Sequence, residues 1–413
     1  MKKNIKLLSC ILLLSVCNLK AQSPNFILIL SDDQGWNGTS ALLSMTESGS
    51  KSDFYETPAL EDLASQGMVF SAAYAPAPKC SPTRCSIQTG MTTARTGFTN
   101  TDNQSEVDDG LIEAMTVQDI EDSFVTLPEW LGGLDVNYRT AHFGKWHIGN
   151  NGPADNGYDS EDGNNSNDEG DALNGESIQN DPKKIFDLTK KGIDFMTESV
   201  AAGEPFYLQL SHYAVHTSIE YTQEAFDKFN NKEEGDVHDN VGFASMTEDL
   251  DDGVRLILEA IEDLDISDNT YIIYTSDNGA SNGQSNNAPL SKGKTFLHEG
   301  GIRVPMIVKG PGIEAGKFVT EPVIGYDLYP TLAEATGASN ELPEDLDGMS
   351  LLPLWKGNTI DRTQPLVFHS PHYDTNKSKN PTSAAVLGDY KLLVDYVEGT
   401  QSLYHIHDDV SES

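Results

Sequence analysis

The sequence predicts an α/β protein with a mainly parallel central sheet, helices on both faces, and a smaller antiparallel sheet towards the C-terminus. Several short runs are apolar throughout, which is typical of strands buried on both faces. Segments with helical periodicity lie between these runs, and such alternation favours a parallel sheet. After residue 337 the pattern changes to short strand-like runs separated by turns.

The predicted elements follow one another in a regular order. Strands of the central sheet are expected at residues 26–30, 138–143, 206–210, 271–275 and 306–308. Helices are expected at 58–67, 82–89, 182–197 and 243–264, the last with apolar residues on one face and charged residues on the other. The second sheet is predicted from runs at 366–369, 384–387, 391–395 and 403–406, and polar stretches at 99–123 and 150–181 are predicted loops.

The chain of 413 residues is long enough for one large domain and a smaller companion. We expect a signal peptide at 1–21, a catalytic domain at 22–337 and a small subdomain at 338–413. The first segment has three lysines in its first six residues, an apolar run at 7–16 that is too short to span a bilayer, and Ala21 for cleavage. Export to the periplasm or the medium is therefore expected. Cys17 would allow a lipoprotein anchor, but Val16 stands where a small residue is required.

The charge balance excludes one class of partner. Lys and Arg number 27 against 64 Asp and Glu, for a net charge of −37. Such a chain cannot neutralise a phosphate backbone, so nucleic acid is excluded as a partner. The acidity suits a solvated surface in a salty medium, and no segment after the signal is apolar enough to span a membrane.

Oxygen-bearing side chains follow two predicted strands. Asp32 and Asp33 come after the strand at 26–30, and Asp277 and Asn278 come after the strand at 271–275. In parallel sheets, sites form at the carboxyl ends of strands. Three carboxylates and one amide favour Ca²⁺, with Mg²⁺ as the alternative, over zinc.

Two cysteines remain after the signal, Cys80 and Cys85, five residues apart. Either they form a local disulfide or at least one has a chemical role. Cys80 opens a predicted helix, where backbone amides attract an anion. Arg84 lies about one helical turn further on and shares that face. Spacing alone leaves open both a reactive and a merely buried Cys80.

These residues resemble the sulfatase family from about residue 25 to the C-terminus, with the motifs in family order. They are CSPTR at 80–84, DDQGW at 32–36, GKWHIG at 144–149, SDNG at 276–279, EGGIRVP at 299–305 with Lys294 before it, YPT at 329–331 and LDG at 346–348. Thr83 stands where serine is commoner. The family pattern also continues further past Tyr404 than this sequence does, so the small subdomain is expected to be incomplete.

The resemblance implies a mechanism. Cys80 would be oxidised to formylglycine by a maturation enzyme, and its hydrate, a gem-diol, would supply the nucleophile and a metal ligand. Asp32, Asp33, Asp277 and Asn278 would hold Ca²⁺, and Arg84 would stabilise the nucleophilic hydroxyl. Lys145 and Lys294 would bind sulfate oxygens. His147 would act as the base that allows sulfate to be expelled. His216 would bind substrate and protonate the leaving alcohol, with His212 as its rival.

The expected function is hydrolysis of sulfate esters on a carbohydrate. Algal and host glycans are both candidates, and the acidic composition favours a marine polysaccharide. A local basic pocket around Lys145 and Lys294 predicts action at a chain end. Two alternatives stay open: a phosphodiester or phosphonate ester hydrolase using the same aldehyde, and an unmatured, inactive protein that binds sulfated glycan. The sequence does not identify the sugar, the sulfated position or the oligomeric state.

Overall fold

The computed structural model describes residues 23–101, 114–171, 180–338, 340–373 and 379–413. The predicted signal peptide lies outside the described residues, and the predicted loops at 99–123 and 150–181 lie partly outside them. The division of the mature chain at residue 337 stays a prediction.

The described strands form a large central sheet and two smaller ones. In chain order they are β1 (Asn25–Ser31), β2 (Met68–Phe70), β3 (Ala73–Tyr74), β4 (Arg139–Gly144), β5 (Ser160–Glu161), β6 (Phe206–Ser211), β7 (Thr270–Ser276), β8 (Met306–Lys309), β9 (Lys317–Val319), β10 (Val323–Ile324), β11 (Leu366–Ser370), β12 (Thr382–Leu387), β13 (Tyr390–Asp395) and β14 (Thr400–His405). The central sheet has the order β5-β4-β6-β1-β7-β8-β2-β9, and β3 pairs with β10.

All neighbouring strands of the central sheet run parallel except for β8, which is antiparallel to both β7 and β2. The predicted fold class is confirmed. β2, β5 and β9 were not predicted, because strands of two or three residues are too short for an alternation pattern and depend on pairing with distant partners.

The described helices cover both faces of this sheet. They are α1 (Pro58–Gln66), α2 (Cys80–Thr89), α3 (Thr93–Thr96), α4 (Leu127–Gly132), α5 (Ile185–Ala202), α6 (Gln223–Asn230), α7 (Val241–Asp263), α8 (Glu299–Ile302), α9 (Leu328–Ala335) and α10 (Leu352–Trp355). The helix predicted at 182–197 begins only at Ile185, because Lys183 and Lys184 adopt left-handed backbone conformations. The helix predicted at 82–89 begins two residues early, at Cys80.

Alternate residues of β1 supply two separate cores. Phe26, Leu28 and Leu30 belong to the core that also contains residues of α2, α9 and α10. Ile27 and Ile29 belong to the opposite core, with residues of α1, α5 and α7. Burying each of these side chains contributes about 1.5–3 kcal/mol. The central strand is therefore fixed from both faces, and so is the position of its carboxyl end.

The C-terminal strands β11–β14 form an antiparallel sheet that covers one end of the central domain. Its inner face, with Leu366, Phe368 and Leu393, packs against Tyr74 and Ile324. A buried ion network reinforces this contact: Lys391 Nζ lies 2.9 Å from Glu299 Oε1 and 2.8 Å from Glu412 Oε1. In the described part of the chain, no helix has the length and apolarity needed to cross a membrane.

Candidate active site

Four polar side chains meet where β1 and β7 end. The two strands pair in parallel with Ser31 opposite Ser276, so the residues that follow them lie side by side. The backbone N–H of Asp33 donates to Asp277 Oδ1 at 3.1 Å, and Asn278 Nδ2 donates to Asp33 Oδ1 at 2.7 Å. Two segments more than 240 residues apart in sequence thus form one buried group of oxygens.

Cys80 faces this group from the first turn of α2. Its Sγ lies 3.4 Å from Asp32 Oδ1 and 3.8 Å from Asp33 Oδ1. The helix ends at Gly90, whose φ of 69° places it in the left-handed region that favours glycine. Burial, together with Asp277 and Asp32, raises the pKa of the Cys80 thiol. Within the described part of the chain, Cys80 and Cys85 are free cysteines, so the local disulfide considered from their spacing is not formed.

The donor set fits a hard cation. Asp32, Asp33, Cys80 and Asp277 each offer one ligand atom, and these atoms lie within 4.8 Å of one another. Ligands placed about 2.3–2.6 Å from a Ca²⁺ ion can stand up to about 5 Å apart. Asn278 Oδ1 is buried and has no hydrogen-bond partner among the described residues. An unpaired buried acceptor is costly, and a cation bound here would satisfy it.

Three cationic side chains surround the carboxylates. Lys145 Nζ lies 2.5 Å from Asp32 Oδ2, and Lys294 Nζ lies 2.6 Å from Asp33 Oδ1 and 3.5 Å from Cys80 Sγ. Burial alone would raise the pKa of Asp32, but Lys145 and the other cations hold it well below its usual value. For Asp277, burial and the neighbouring Asp32 outweigh the cations and raise the pKa.

Arg84 is the third cation, and it is fully buried. Its Nε and Nη2 donate to Asp277 Oδ2 at 2.9 and 2.7 Å, and its Nη1 donates to the backbone oxygen of Lys145 at 2.5 Å. One guanidinium therefore ties a carboxylate at the end of β7 to the segment that follows β4.

Two of the predicted histidines border the same site. His147, in a left-handed conformation with φ of 55°, has its pKa lowered to about 3 by burial and by the nearby Lys145 and Arg84. His216 Nε2 lies 3.8 Å from Asp33 Oδ2, and 17% of its side chain is exposed. His212, the rival of His216, is buried, and burial lowers its pKa to about 4. The structure therefore places His216, rather than His212, at the open side of the group.

Backbone strain is concentrated around these residues. Asp33, His147, Lys292 and Thr295 all have φ between 55° and 80°, a range that side chains rarely adopt and that recurs at functional sites. Thr295 is the most unusual, because it is β-branched. Its N–H donates to the backbone oxygen of Pro78 at 2.8 Å, which ties the Lys294 loop to the segment before Cys80.

The sulfatase family model matches residues 24–338 of this sequence. The chain belongs to the sulfatase family. Sulfatases are sulfuric ester hydrolases, and this chain is an enzyme of that class. A second model, described as the C-terminal part of N-sulphoglucosamine sulphohydrolase, matches residues 292–413.

Two of three similar proteins have a sugar in their names or titles. This sulfatase is 28% identical to a sulfatase of Formosa agariphila over 95% of its own length and 84% of the relative's. It is 30% identical to N-acetylgalactosamine-6-sulfatase of Sus scrofa, over 90% of its own length and 71% of the relative's. The crystal structure of Ps i-CgsB in complex with k-i-k-neocarrahexaose superimposes with a TM-score of 0.78 and 26% identity, over 95% of this chain and 88% of the other.

The sulfatase thus brings all of the residues predicted for its site into one region. The predicted metal ligands, Cys80, Arg84 and the two lysines are joined by direct contacts, whereas His147 lies close by without a direct bond to them. The contact of Thr295 with the segment before Cys80 was not predicted from the sequence. The strain at Thr295 has no sequence signal, since threonine is not a residue that predicts a left-handed backbone.

Proposed function

We propose that this sulfatase removes sulfate from a sulfated carbohydrate, using a formylglycine made from Cys80 and a Ca²⁺ ion held by Asp32, Asp33, Asp277 and Asn278. One observation carries the proposal: the ligand atoms of three carboxylates and Cys80 lie within 4.8 Å of one another, beside an unpaired amide oxygen. A structural ion-pair cluster would have no need for an orphaned acceptor. Mg²⁺ is the alternative ion.

The calcium ion and the modified residue at position 80 would each supply part of the chemistry. Bound Ca²⁺ would polarise the sulfate ester, and the hydrated aldehyde at position 80 would supply the attacking hydroxyl. Lys145 and Lys294, already held against Asp32 and Asp33, would bind sulfate oxygens and offset charge that develops on them. Both lysines are pre-positioned by these contacts, so little reorganisation is required when substrate binds.

The histidines would move protons. His216 has its Nδ1 2.6 Å from the backbone oxygen of Thr217, which identifies Nδ1 as the protonated nitrogen and turns Nε2 towards the site. From there Nε2, once protonated, would donate a proton to the oxygen of the leaving alcohol. His147, kept neutral by burial and by Lys145, can accept the proton from the residue at position 80 when sulfate leaves. Arg84 would orient Asp277 and stabilise the nucleophilic hydroxyl of the hydrated formylglycine at position 80.

The substrate is inferred from charge and from the relatives. One relative is named as an N-acetylgalactosamine-6-sulfatase, and one similar structure contains the oligosaccharide k-i-k-neocarrahexaose, so both involve carbohydrates. Because the whole chain carries a net charge of −37, a long polyanion is repelled except at a basic pocket. We therefore propose action at the end of a glycan chain, with marine polysaccharide as the preferred source. We also propose that the protein is exported to the periplasm or the medium and meets a formylglycine-generating enzyme.

Mass spectrometry and activity together test the proposal. Conversion of Cys80 to formylglycine replaces sulfur and two hydrogens by oxygen and lowers the peptide mass by about 18 Da. We expect this form in active protein, sulfate release from defined sulfated saccharides with calcium, and none from Cys80→Ala. Full retention of the thiol in active protein would contradict the mechanism. Faster turnover of matched phosphonate esters would favour the alternative hydrolase. A retained Cys80 thiol together with no turnover would favour the unmatured glycan-binding protein.

A further inference from the structure

A polar cavity of about 320 Å³ lies at the same edge of the central sheet as the active site. We call it the amide pocket, and it is lined by Tyr55 and by residues 236–240 and 282–286. Tyr55 lies between β1 and α1, the second segment directly precedes α7, and the third follows β7. Because α7 leads back to the start of β7, its N-terminus lies at the carboxyl ends of the parallel strands. Asp32 and Asp277 lie at those same strand ends.

Hydrogen bonds tie the amide pocket to the loop that carries Lys294. The backbone oxygen of Ala280 accepts from the N–H of Lys294 at 3.0 Å and from Asn287 Nδ2 at 2.9 Å. Asn287 Nδ2 also donates to Asn282 Oδ1 at 3.0 Å. Because Asn282 comes only four residues after Asn278, the Cα atoms of the two lie at most about 14 Å apart. The pocket is therefore within reach of a sugar residue next to one held at the active site.

The amide pocket has a buried floor and an open rim. The rings of Tyr55 and His238 form the floor and stack with their centroids 4.5 Å apart. The Tyr55 hydroxyl lies 3.0 Å from Ser285 Oγ, and His238 Nε2 lies 2.8 Å from the backbone oxygen of Asn286. The exposed residues of the rim are Asp236, Asp239, Asn282, Gly283 and Asn286. A ligand can therefore reach the rim side chains, while the floor is held by its own contacts.

One acceptor of the amide pocket has no partner. Gln284 Oε1 is buried, and no described residue donates a hydrogen bond to it. The backbone of Gln284 is held separately, because its oxygen accepts from Asn240 Nδ2 at 3.1 Å. A buried acceptor without a donor is unfavourable, and a hydroxyl group of a ligand would satisfy it.

The lining of the amide pocket indicates a neutral ligand rich in hydroxyl groups. Carboxylates and amides offer the acceptors and donors that hydroxyl groups require. Among the residues that the structure describes, no lysine or arginine lines the pocket, so an anionic sugar would meet Asp236 and Asp239 without a neighbouring cation. A metal ion is also disfavoured. In the described part of the chain, ligand atoms from three or more acidic, histidine or cysteine residues come within 4.8 Å of one another only at the proposed calcium site.

We propose that the amide pocket binds an uncharged sugar residue that adjoins the one whose sulfate ester is cleaved. This inference rests on the proposed function for its substrate class. Asp236 and Asp239 accept hydrogen bonds from hydroxyl groups of the adjoining sugar, and Gln284 Oε1 accepts another. The enzyme therefore binds a sulfated sugar more tightly when a neutral sugar is attached to it than when it stands alone or carries an anionic neighbour.

Binding to the calcium-loaded Cys80→Ala protein tests this inference without turnover. The probes are N-acetylgalactosamine 6-sulfate alone, the same sugar linked to galactose, and the same sugar linked to glucuronate. We expect the galactose-linked probe to bind about tenfold more tightly than the single sugar, because hydrogen bonds to charged groups are among the stronger ones. The glucuronate-linked probe should gain less. Asp239→Ala and Gln284→Ala, each introduced into the Cys80→Ala protein, should remove most of the gain from galactose.

Asp263→Ala is the matched control, because Asp263 is an exposed aspartate at the opposite end of α7 and its loss should leave the gain intact. The inference is overturned if no probe binds, if galactose brings no gain, if the gain persists in both pocket variants, or if glucuronate brings the larger gain. It is also overturned if the wild type binds two calcium ions and Asp239→Ala binds one, since the pocket would then hold a cation.

The inference and the proposed function fail separately in these experiments. A galactose gain that behaves as expected, in a protein whose Cys80 form releases no sulfate, would overturn the proposed function and leave the sugar-binding pocket standing. Release of sulfate by the Cys80 form, without any gain from galactose, would overturn the pocket assignment alone.

Discussion

Arg84 and Asp277 form a buried ion pair in which two guanidinium nitrogens donate to the same carboxylate oxygen, at 2.9 and 2.7 Å. The pair joins α2, which begins with Cys80, to the end of β7. It therefore fixes the proposed nucleophile relative to a proposed calcium ligand, and a third hydrogen bond ties the same guanidinium to the Lys145 backbone.

Arg84→Lys tests that geometry. Lysine keeps the charge but cannot make the three directed contacts, so Asp277 and Lys145 lose their common support. We expect kcat/KM on a sulfated saccharide to fall about 100-fold or more, as for reacting groups displaced by about 1 Å. Arg95→Lys, at an exposed pair with Asp347, is the control and should remain close to wild type. Equally small losses of kcat/KM in both variants would show that the three directed hydrogen bonds of Arg84 are not required for activity.

Calcium should stabilise the protein through Asn278. An ion present at a hundredfold excess over its Kd adds about 2.7 kcal/mol to the free energy of unfolding, which raises Tm by several degrees. Asn278→Ala removes the unpaired oxygen, so its Tm should respond much less to calcium. Differential scanning calorimetry with calcium and with chelator measures both shifts.

Asn282→Ala is the matched control for that experiment. Asn282 is an exposed asparagine four residues further along the same segment, so its loss should leave the calcium response intact. A calcium response of the same size in Asn278→Ala and wild type would contradict a role for Asn278 as a ligand.

Local patterns predicted much of the site, because they mark strand ends. The apolar runs of β1 and β7 place Asp32 and Asp277 at one sheet edge, and the structure joins them through Arg84, which approaches both. Pairings between distant segments could not be read in the same way. Lys391 bonds Glu299 across 92 residues, and no periodicity in either segment indicates the other. Such contacts follow from how the second sheet docks.

The partly exposed position of His216, at the open side of the site, predicts a leaving-group effect. If its Nε2 protonates the departing alcohol, His216→Gln should lower kcat/KM for a sugar sulfate by about 100-fold or more. The loss on nitrophenyl sulfate should be far smaller, because nitrophenolate needs little protonation. The ratio of the two losses, measured on one enzyme preparation, reports this role.

His212→Gln provides the comparison within the same segment. His212 is fully buried, so this change should lower Tm without altering the ratio between the two substrates. A ratio that changes in His212→Gln and not in His216→Gln would reverse the assignment of the acid.

The junction between the two sheets should make stability depend on pH through Glu412. Burial, with the nearby Glu299, raises the pKa of Glu412 to about 7 from an ordinary value of 4.5, although Lys391 opposes the shift. Lys391 and Arg303 instead hold the pKa of Glu299 below its usual value, against the effect of burial. When this network takes up a proton, the proton therefore resides on Glu412.

A carboxyl group whose pKa is raised on folding keeps its proton in the folded state after the unfolded chain has lost it. Between about pH 5 and pH 7, the unfolded chain thus binds fewer protons at Glu412, and the free energy of unfolding falls as pH rises. Glu412→Gln removes this titration. Its stability relative to wild type should increase by on the order of 2 kcal/mol between pH 5 and pH 7 in urea unfolding. Glu234→Gln, at an exposed position, should show no such trend. Parallel pH curves for Glu412→Gln and wild type would show that Glu412 is ionised throughout this range, in which case Lys391 outweighs burial at this junction.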